Sequence, residues 1–233
     1  MIEKVVFTDI DGTLLNGFIT FDFAKYLNKC SEYNELAYKR QIDILKKFEL
    51  GEMNYLTAVQ EWLHEWGKGV DGKQVNQINK LAKQFFQSYR GSICNSSKIL
   101  IETLKKKGYY VVGVSAGVDV MMSLVKDYLG LDEIFASKLF NKNGIYLPKL
   151  ETNLHKVNGK KETLEKFIID KEVMLKNSIA FGDSLHDLDL FNLAEIKIAL
   201  NPTKDLERYA KLNKFIVVNE NNVLNIVNSM LTD

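Results

Sequence analysis

The stretch Val5-Val6-Phe7-Thr8-Asp9-Ile10-Asp11-Gly12-Thr13-Leu14 decides the fold and points to the chemistry. An apolar run of strand character ends in two carboxylates one residue apart. Alternate side chains of a strand share a face, so the spacing predicts that Asp9 and Asp11 reach one site just past the strand end. Gly12 lets the backbone turn sharply there, and Thr13 adds a hydroxyl. Carboxylates held together repel, so one must take a proton or a cation must sit between them. A plain surface turn is the alternative, since turns favour Asp and Gly. The buried-looking run that leads straight into the motif argues against it.

Beyond this strand the pattern changes. Apolar residues recur at helical spacing in four stretches: Phe23, Tyr26 and Leu27; Ile42, Leu45 and Phe48; Tyr55, Val59, Trp62, Leu63 and Trp66; and Val75, Ile78, Leu81, Ala82, Phe85 and Phe86. Gly51, Gly67, Gly69 and Gly72 read as punctuation between them. Residues 15–91 therefore read as a helical module inserted after the first strand. From Asn95 helix and strand alternate. A helix runs through Lys106, followed by the strand Tyr109-Tyr110-Val111-Val112-Gly113-Val114 and a helix over 118–129. A hairpin over 135–150 turns at Asn141-Lys142-Asn143-Gly144, and a helix covers 159–169. Strands at 178–181, 196–200 and 215–218 complete the series, with a helix from Leu185. This alternation predicts an α/β fold, a doubly wound Rossmann-like parallel sheet core with an inserted α-helical cap domain. Ligands of such sheets bind outside the carboxyl ends of the strands.

Bulk properties narrow the partners. The 233 residues carry 31 Lys and Arg against 30 Asp and Glu, which leaves no electrostatic footprint for nucleic acid or an anionic membrane surface. Lys105-Lys106-Lys107 closes a helix, where cations complement the dipole. The N-terminus is too short and acidic for a signal peptide, and no transmembrane segment is apparent. Cys30 and Cys94 lack metal or redox spacing, as in a cytoplasmic protein with free thiols.

Three more polar clusters fall at strand or helix ends. Ser115-Ala116-Gly117 offers a hydroxyl and glycine amides ahead of a helix, as an anion cradle would. Asn158-Gly159-Lys160-Lys161 places lysine in a first turn, against the helix dipole, as if to meet an anion. Phe181-Gly182-Asp183-Ser184-Leu185-His186-Asp187 again ends a strand in a carboxylate, with Asp187 four residues on. Asp189 reads as a surface residue and His186 as an exposed helical one. Convergence of Asp9, Asp11 and Asp183 would give an open all-oxygen site suited to Mg²⁺.

At these residues the chain resembles the haloacid dehalogenase superfamily of aspartyl-phosphate hydrolases. Asp9-Ile10-Asp11-Gly12-Thr13, Val112-Gly113-Val114-Ser115, Lys160 and Gly182-Asp183-Ser184-Leu185-His186-Asp187 match its four motifs in order. Ser115-Ala116-Gly117-Val118-Asp119 and the residues after Lys160 look most like the phosphoserine-phosphatase-like branch. The resemblance implies a core of residues 1–14 and 92–233 with a C1 cap over 15–91. It implies a Mg²⁺-dependent phosphatase of a small phosphorylated metabolite, monomeric or homodimeric, with no nucleic-acid or membrane partner. Asp9 would be the nucleophile and Asp11 the acid and base. Asp9, Asp183 and the Asp11 backbone carbonyl would hold the metal, and Thr13, Ser115, Ala116, Gly117 and Lys160 the phosphoryl group. Asp187 would orient a metal-bound water or buttress Asp183 or Lys160. Phe18 stands where phosphoserine phosphatases carry a cap glutamate, and residues 55–62 contain no arginine. These departures argue for another monoester, with Phe18 and Tyr55 as pocket residues. Phosphoserine phosphatase proper and a catalytically silent phosphate-binding regulatory module are the alternatives. Asp11 argues against a dehalogenase, and no cap lysine marks a phosphonatase.

Overall fold

The structure, a computed structural model, describes residues 1–231. A seven-stranded sheet has the order β4-β3-β2-β1-β5-β6-β7. Its strands are β1 (Val5–Thr8), β2 (Tyr110–Val118), β3 (Glu133–Lys142), β4 (Ile145–Glu151), β5 (Ile179–Gly182), β6 (Ile196–Leu200) and β7 (Ile216–Val218). The strands pair in parallel except β3 with β4. Every residue of β1 is buried, as a central strand covered on both faces requires. Val6 faces one apolar cluster while Val5 and Phe7 face the other. The first cluster includes α5 (Asn95–Lys106), α6 (Asp119–Leu129) and α10 (Val223–Met230). The second includes α7 (Gly159–Asp170), α8 (Leu188–Leu193) and α9 (Lys204–Leu212). Helices thus cover both faces, and the sheet is doubly wound as the alternation of elements predicts.

The chain leaves β1 toward β2 on one side and later reaches β5 on the other, so the topological switch point lies at β1. A site is expected at that crevice. Between β1 and α5 come α1 (Ile19–Lys29), α2 (Glu35–Glu49), α3 (Tyr55–Gly69) and α4 (Val75–Tyr89). The entering and leaving chains run side by side: Asn16 N–H donates to the Ser92 carbonyl, and Cys94 N–H to that of Leu14. The helical segment also leans on the β3–β4 hairpin, where Val75 N–H donates to the Gly144 carbonyl. Its apolar cluster is continuous with that of the sheet, joining Trp66 and Phe85 to Leu14 and Val118. Among the described residues no helix is long and apolar enough to cross a membrane.

Four local expectations change. Gly67 does not punctuate the helices but lies inside α3, whereas Gly69 is the last residue of that helix. A Cβ on Gly67 would stand 3.0 Å from the Lys149 backbone nitrogen, and one on Gly69 would overlap the Tyr33 ring at 1.9 Å. Both are contact points, and Gly69 alone also marks a helix end. On α2 the buried positions are Ala37, Gln41 and Ile44, while Ile42 and Phe48 are exposed. Gln41 takes an inward position because both ends of its amide are satisfied, by the Tyr33 hydroxyl and the Trp62 carbonyl. The strand expected to end at Val114 continues to Val118, through an irregularity in its pairing with β3. The helix expected from Leu185 begins as a 3-10 turn, Leu185–Asp187, ahead of α8.

Candidate active site

Asp9 follows the last residue of β1, and its N–H donates to the Phe181 carbonyl of β5 at 3.1 Å. That bond fixes the carboxylate between the two strand ends. Lys160, in the first turn of α7, donates to Asp9 Oδ1 at 2.6 Å and to Asp187 Oδ1 at 2.7 Å. The lysine that opposes the helix dipole is therefore shared by two carboxylates. The other Asp187 oxygen accepts from the N–H groups of Asp183 and Ser184, both at 3.1 Å, and from the Ser184 hydroxyl. The Thr13 hydroxyl lies 3.1 Å from Asp183 Oδ1 and 3.4 Å from Asp9 Oδ2. Gly12 makes this closeness feasible. Its φ of +85° is left-handed, and a Cβ there would stand 2.7 Å from Asp183 Oδ2.

Asp9, Asp183 and Asp187 each offer one oxygen within 4.8 Å of the others. The Asp11 carboxylate is not among them. Its Oδ1 accepts from the Ile19 N–H at 3.0 Å and its Oδ2 from the Ser115 hydroxyl at 3.0 Å. Asp9 and Asp183 come together as expected, whereas the Asp11 side chain joins Ser115 and the Ile19 N–H instead, because β1 ends at Thr8. Past that residue the chain turns and the two-residue period no longer applies. Ser115 and Gly117 differ from expectation too. Gly117 N–H donates to Ser115 Oγ at 2.9 Å, and the Ala116 carbonyl accepts from Ser137. Being strand, this segment turns its polar groups on one another and on Asp11 rather than forming an open helix-end cradle.

Burial sets the electrostatics. It pushes the Asp11 carboxyl up to about 6, against the pull of the Ile19 N–H and the Ser115 hydroxyl. Asp183 rises to about 6 through burial and the neighbouring Asp187 charge. Burial also raises Asp9, opposed by the Lys160 ammonium. Lys160 is held well above its ordinary value by Asp187 and Asp9, which outweigh its burial. Three carboxylates thus gather around one ammonium that bonds only two of them, a cluster rich in hard oxygens. That donor set fits a small divalent cation. Asp187 Oδ2 already accepts from three donors of the 183–184 turn, whereas Asp9 Oδ2 and Asp183 Oδ1 meet only the Thr13 hydroxyl.

Tyr55, at the start of α3, stacks on His186 with ring centroids 3.6 Å apart and planes 13° from parallel. The Tyr55 hydroxyl is pushed up to about 12 by burial, with Asp9, Asp187 and Asp183 adding to the rise. The helical segment therefore touches the rim of the acidic cluster. Phe18, the other expected pocket residue, is 64% exposed and is the N-cap residue of α1, where its side chain makes no capping bond. Asp11 takes that capping place by accepting from the first helical N–H. Two contacts escape sequence reasoning. His186 is exposed yet spends its ring on Tyr55, and Asp189 accepts the Lys161 N–H at the start of α7 rather than facing solvent alone. A helix whose N-cap, Asn158, has no side-chain capping bond is the signal that points to such an acceptor.

The family model of haloacid dehalogenase-like hydrolases matches residues 6–192. The chain is 27% identical over 197 residues to a phosphoserine phosphatase of Methanocaldococcus jannaschii, covering 84% of this chain and 85% of that one. A Bordetella pertussis Tohama I protein of unknown function superposes with a TM-score of 0.81 at 18% identity, over 94% of this chain and 100% of that one. A phospho-aspartyl intermediate analogue of phosphoserine phosphatase gives a TM-score of 0.69 at 24% identity, over 100% of both chains. The two structural likenesses speak for the fold. With the motif carboxylates gathered at the switch point and a family match over most of the chain, this protein belongs to the haloacid dehalogenase-like hydrolases, in their phosphoserine-phosphatase-like branch.

Proposed function

We propose that this protein is a Mg²⁺-dependent phosphoric monoester hydrolase working through an aspartyl-phosphate on Asp9. The observation that carries the reading is the Lys160 ammonium between Asp9 and Asp187 beside a second pair of oxygens on Asp183. A buried ion network of this kind is costly as mere structure and suited to phosphoryl transfer. Asp9 attacks phosphorus, the bond to the leaving oxygen breaks, and Asp11 gives that oxygen its proton. A carboxyl at about 6 is well placed to do so near neutral pH. Once deprotonated, Asp11 takes a proton from the water that attacks the aspartyl-phosphate, which frees inorganic phosphate. Lys160 and Ser115 hold phosphoryl oxygens, with Thr13 and the Ala116 amide around them; the Gly117 amide orients the Ser115 hydroxyl, and Asp187 positions Lys160. Mg²⁺ on Asp9, Asp183 and the Asp11 carbonyl would neutralise charge developing on the phosphoryl group.

We further propose that residues 1–14 and 92–233 act as the catalytic core, with 15–91 as the cap. Phosphoserine is not the favoured substrate: Phe18 and Tyr55 bring no charge to the mouth. The test is phosphate release from p-nitrophenyl phosphate with and without Mg²⁺. Asp9→Asn should cut turnover by roughly 10³-fold or more. Equal rates for the two proteins would leave the reading without support.

A further inference from the structure

Thr20 is a polar residue on the inward side of α1. The other buried positions of that helix are Ile19, Phe23, Ala24 and Leu27, all apolar, and Thr20 is itself only 5% exposed. A buried hydroxyl is costly unless it is hydrogen-bonded, and valine has nearly the same shape. What the hydroxyl touches accounts for its presence. Thr20 Oγ1 accepts the N–H of Val118, the last residue of β2, at 3.3 Å. The same oxygen crowds Gly117, where a Cβ would stand 2.6 Å from it and 3.1 Å from Ser115 Oγ. Gly117 N–H donates to Ser115 Oγ at 2.9 Å, and that hydroxyl donates to Asp11 Oδ2 at 3.0 Å. A line of contacts thus runs from Thr20 through Val118 and Gly117 to Ser115 and Asp11.

The line closes on itself, because Ile19, the residue before Thr20, gives its N–H to the other Asp11 oxygen. Two consecutive residues of α1 therefore reach the site, Ile19 by holding Asp11 and Thr20 by way of the backbone beside Ser115. From β3 the Ser137 hydroxyl fixes the Ala116 carbonyl. The amides of Gly117 and Val118 are set instead by Ser115 and Thr20. Resting on the phosphatase reading above, we propose that Thr20 is a positioning residue for the reaction. It touches no reacting atom. It holds Ser115 where the serine hydroxyl bonds Asp11 beside the phosphoryl group, and so ties the helical segment to the chemistry. Without the threonine hydroxyl the Val118 N–H loses its acceptor, the 117–118 peptide shifts, and the bond from Ser115 to Asp11 loosens.

A double-mutant cycle between Thr20 and Ser115 tests this, read as kcat/KM on hexyl phosphate and on p-nitrophenyl phosphate. Thr20→Val should lower kcat/KM for hexyl phosphate roughly 5- to 30-fold. The loss should be smaller for p-nitrophenyl phosphate, whose leaving group departs without a proton. Thr20→Ser, which restores the acceptor, should return to within about twofold of the wild type. In the Ser115→Ala background Thr20→Val should cost less than about twofold, since the hydroxyl it positions is already gone. Thr20→Ala supplies the same cycle if the valine variant does not fold. Kinetics left unchanged by loss of the hydroxyl, whatever happens to Tm, overturn the proposal. An equal loss in both backgrounds marks a packing role and overturns it too, as does a loss that Thr20→Ser fails to relieve. No release from p-nitrophenyl phosphate by the wild type sinks the phosphatase reading itself, which is a distinct result.

Discussion

Asp9 and Asp11 stand two residues apart, yet different parts of the molecule hold them. Asp9 is fixed by core elements alone: β5 through its backbone, α7 through Lys160, and the strand-end turn through Thr13. Asp11 is divided between β2, through Ser115, and the first N–H of α1 in the helical segment. The Asp9 end is therefore set by the sheet, whereas the Asp11 end also feels where α1 lies. On the proposed mechanism the nucleophile is rigidly placed, and the proton carrier is tied to the element that meets the leaving group.

The contrast breaks most severely at Lys160. Lys160→Met removes the cation shared by Asp9 and Asp187 and leaves buried negative charge uncompensated, a loss of about 3–5 kcal/mol in stability. Urea unfolding should show it, along with loss of p-nitrophenyl phosphate turnover. Next comes Asp11→Asn, which keeps an acceptor for the Ile19 N–H but carries no proton to the leaving oxygen. For alkyl phosphates kcat/KM should fall roughly 10²- to 10⁴-fold. The drop should be smaller for p-nitrophenyl phosphate, whose phenolate departs without a proton. Equal losses on both substrates would argue that Asp11 acts on something other than the leaving group.

Features encoded by neighbouring residues were legible from the chain. β1 shows itself as an unbroken apolar run, and the β3–β4 turn as Asn143-Gly144, both with positive φ. What sequence could not supply were contacts across distance. The Lys160–Asp9 pair spans 151 positions, and no local spacing announces it. The Asp11 bonds to Ser115 and Ile19 depend on where β1 stops and α1 starts, and boundaries are poorly marked in any sequence. Ser115-Ala116-Gly117 reads locally as an anion cradle ahead of a helix, yet it stays within β2, across an irregularity in the pairing with β3 that no local signal announces. The face read at Ile42, Leu45 and Phe48 misled in the same way, since the inward place of Gln41 depends on Tyr33 and Trp62, which lie on other segments.

Metal and pH act on the two ends together. Asp11 and Asp183 titrate near 6 in the folded protein, against 3.8 as the ordinary carboxyl value. Between those limits the folded state binds more protons than the unfolded one, so these groups contribute stability that is full below 3.8 and is lost as pH rises through about 6. Metal-free protein should then gain in Tm on Asp183→Asn at pH 7 but not at pH 4, each kcal/mol being worth roughly 2–4 °C. Mg²⁺ should remove that advantage by neutralising the same charge in the wild type. Thermal melts at both pH values, with EDTA or with Mg²⁺, read the pattern directly.

The smallest expected effect is the sharpest test of the contrast, because it alters one hydrogen bond. Proline is tolerated at the first position of a helix, where its missing N–H would bond to no helical carbonyl. Phe18, the preceding residue, is already extended at φ −122° and ψ 95°, outside the helical region that a following proline disfavours. Ile19→Pro thus deletes the donor to Asp11 while leaving α1 able to form. Ile19 is fully buried, so Ile19→Ala, which keeps the N–H, serves as the packing control. A bond to a charged acceptor is worth about 1.5–3 kcal/mol, or on the order of one to two units of acidity. Because that bond lowers the Asp11 carboxyl, its loss moves the group above 6 and keeps it protonated to higher pH. The alkaline limb of kcat for hexyl phosphate should shift up in Ile19→Pro and stay in place in Ile19→Ala. A limb that moves equally in both variants would mean that Asp11 senses the packing beneath α1 rather than its first N–H.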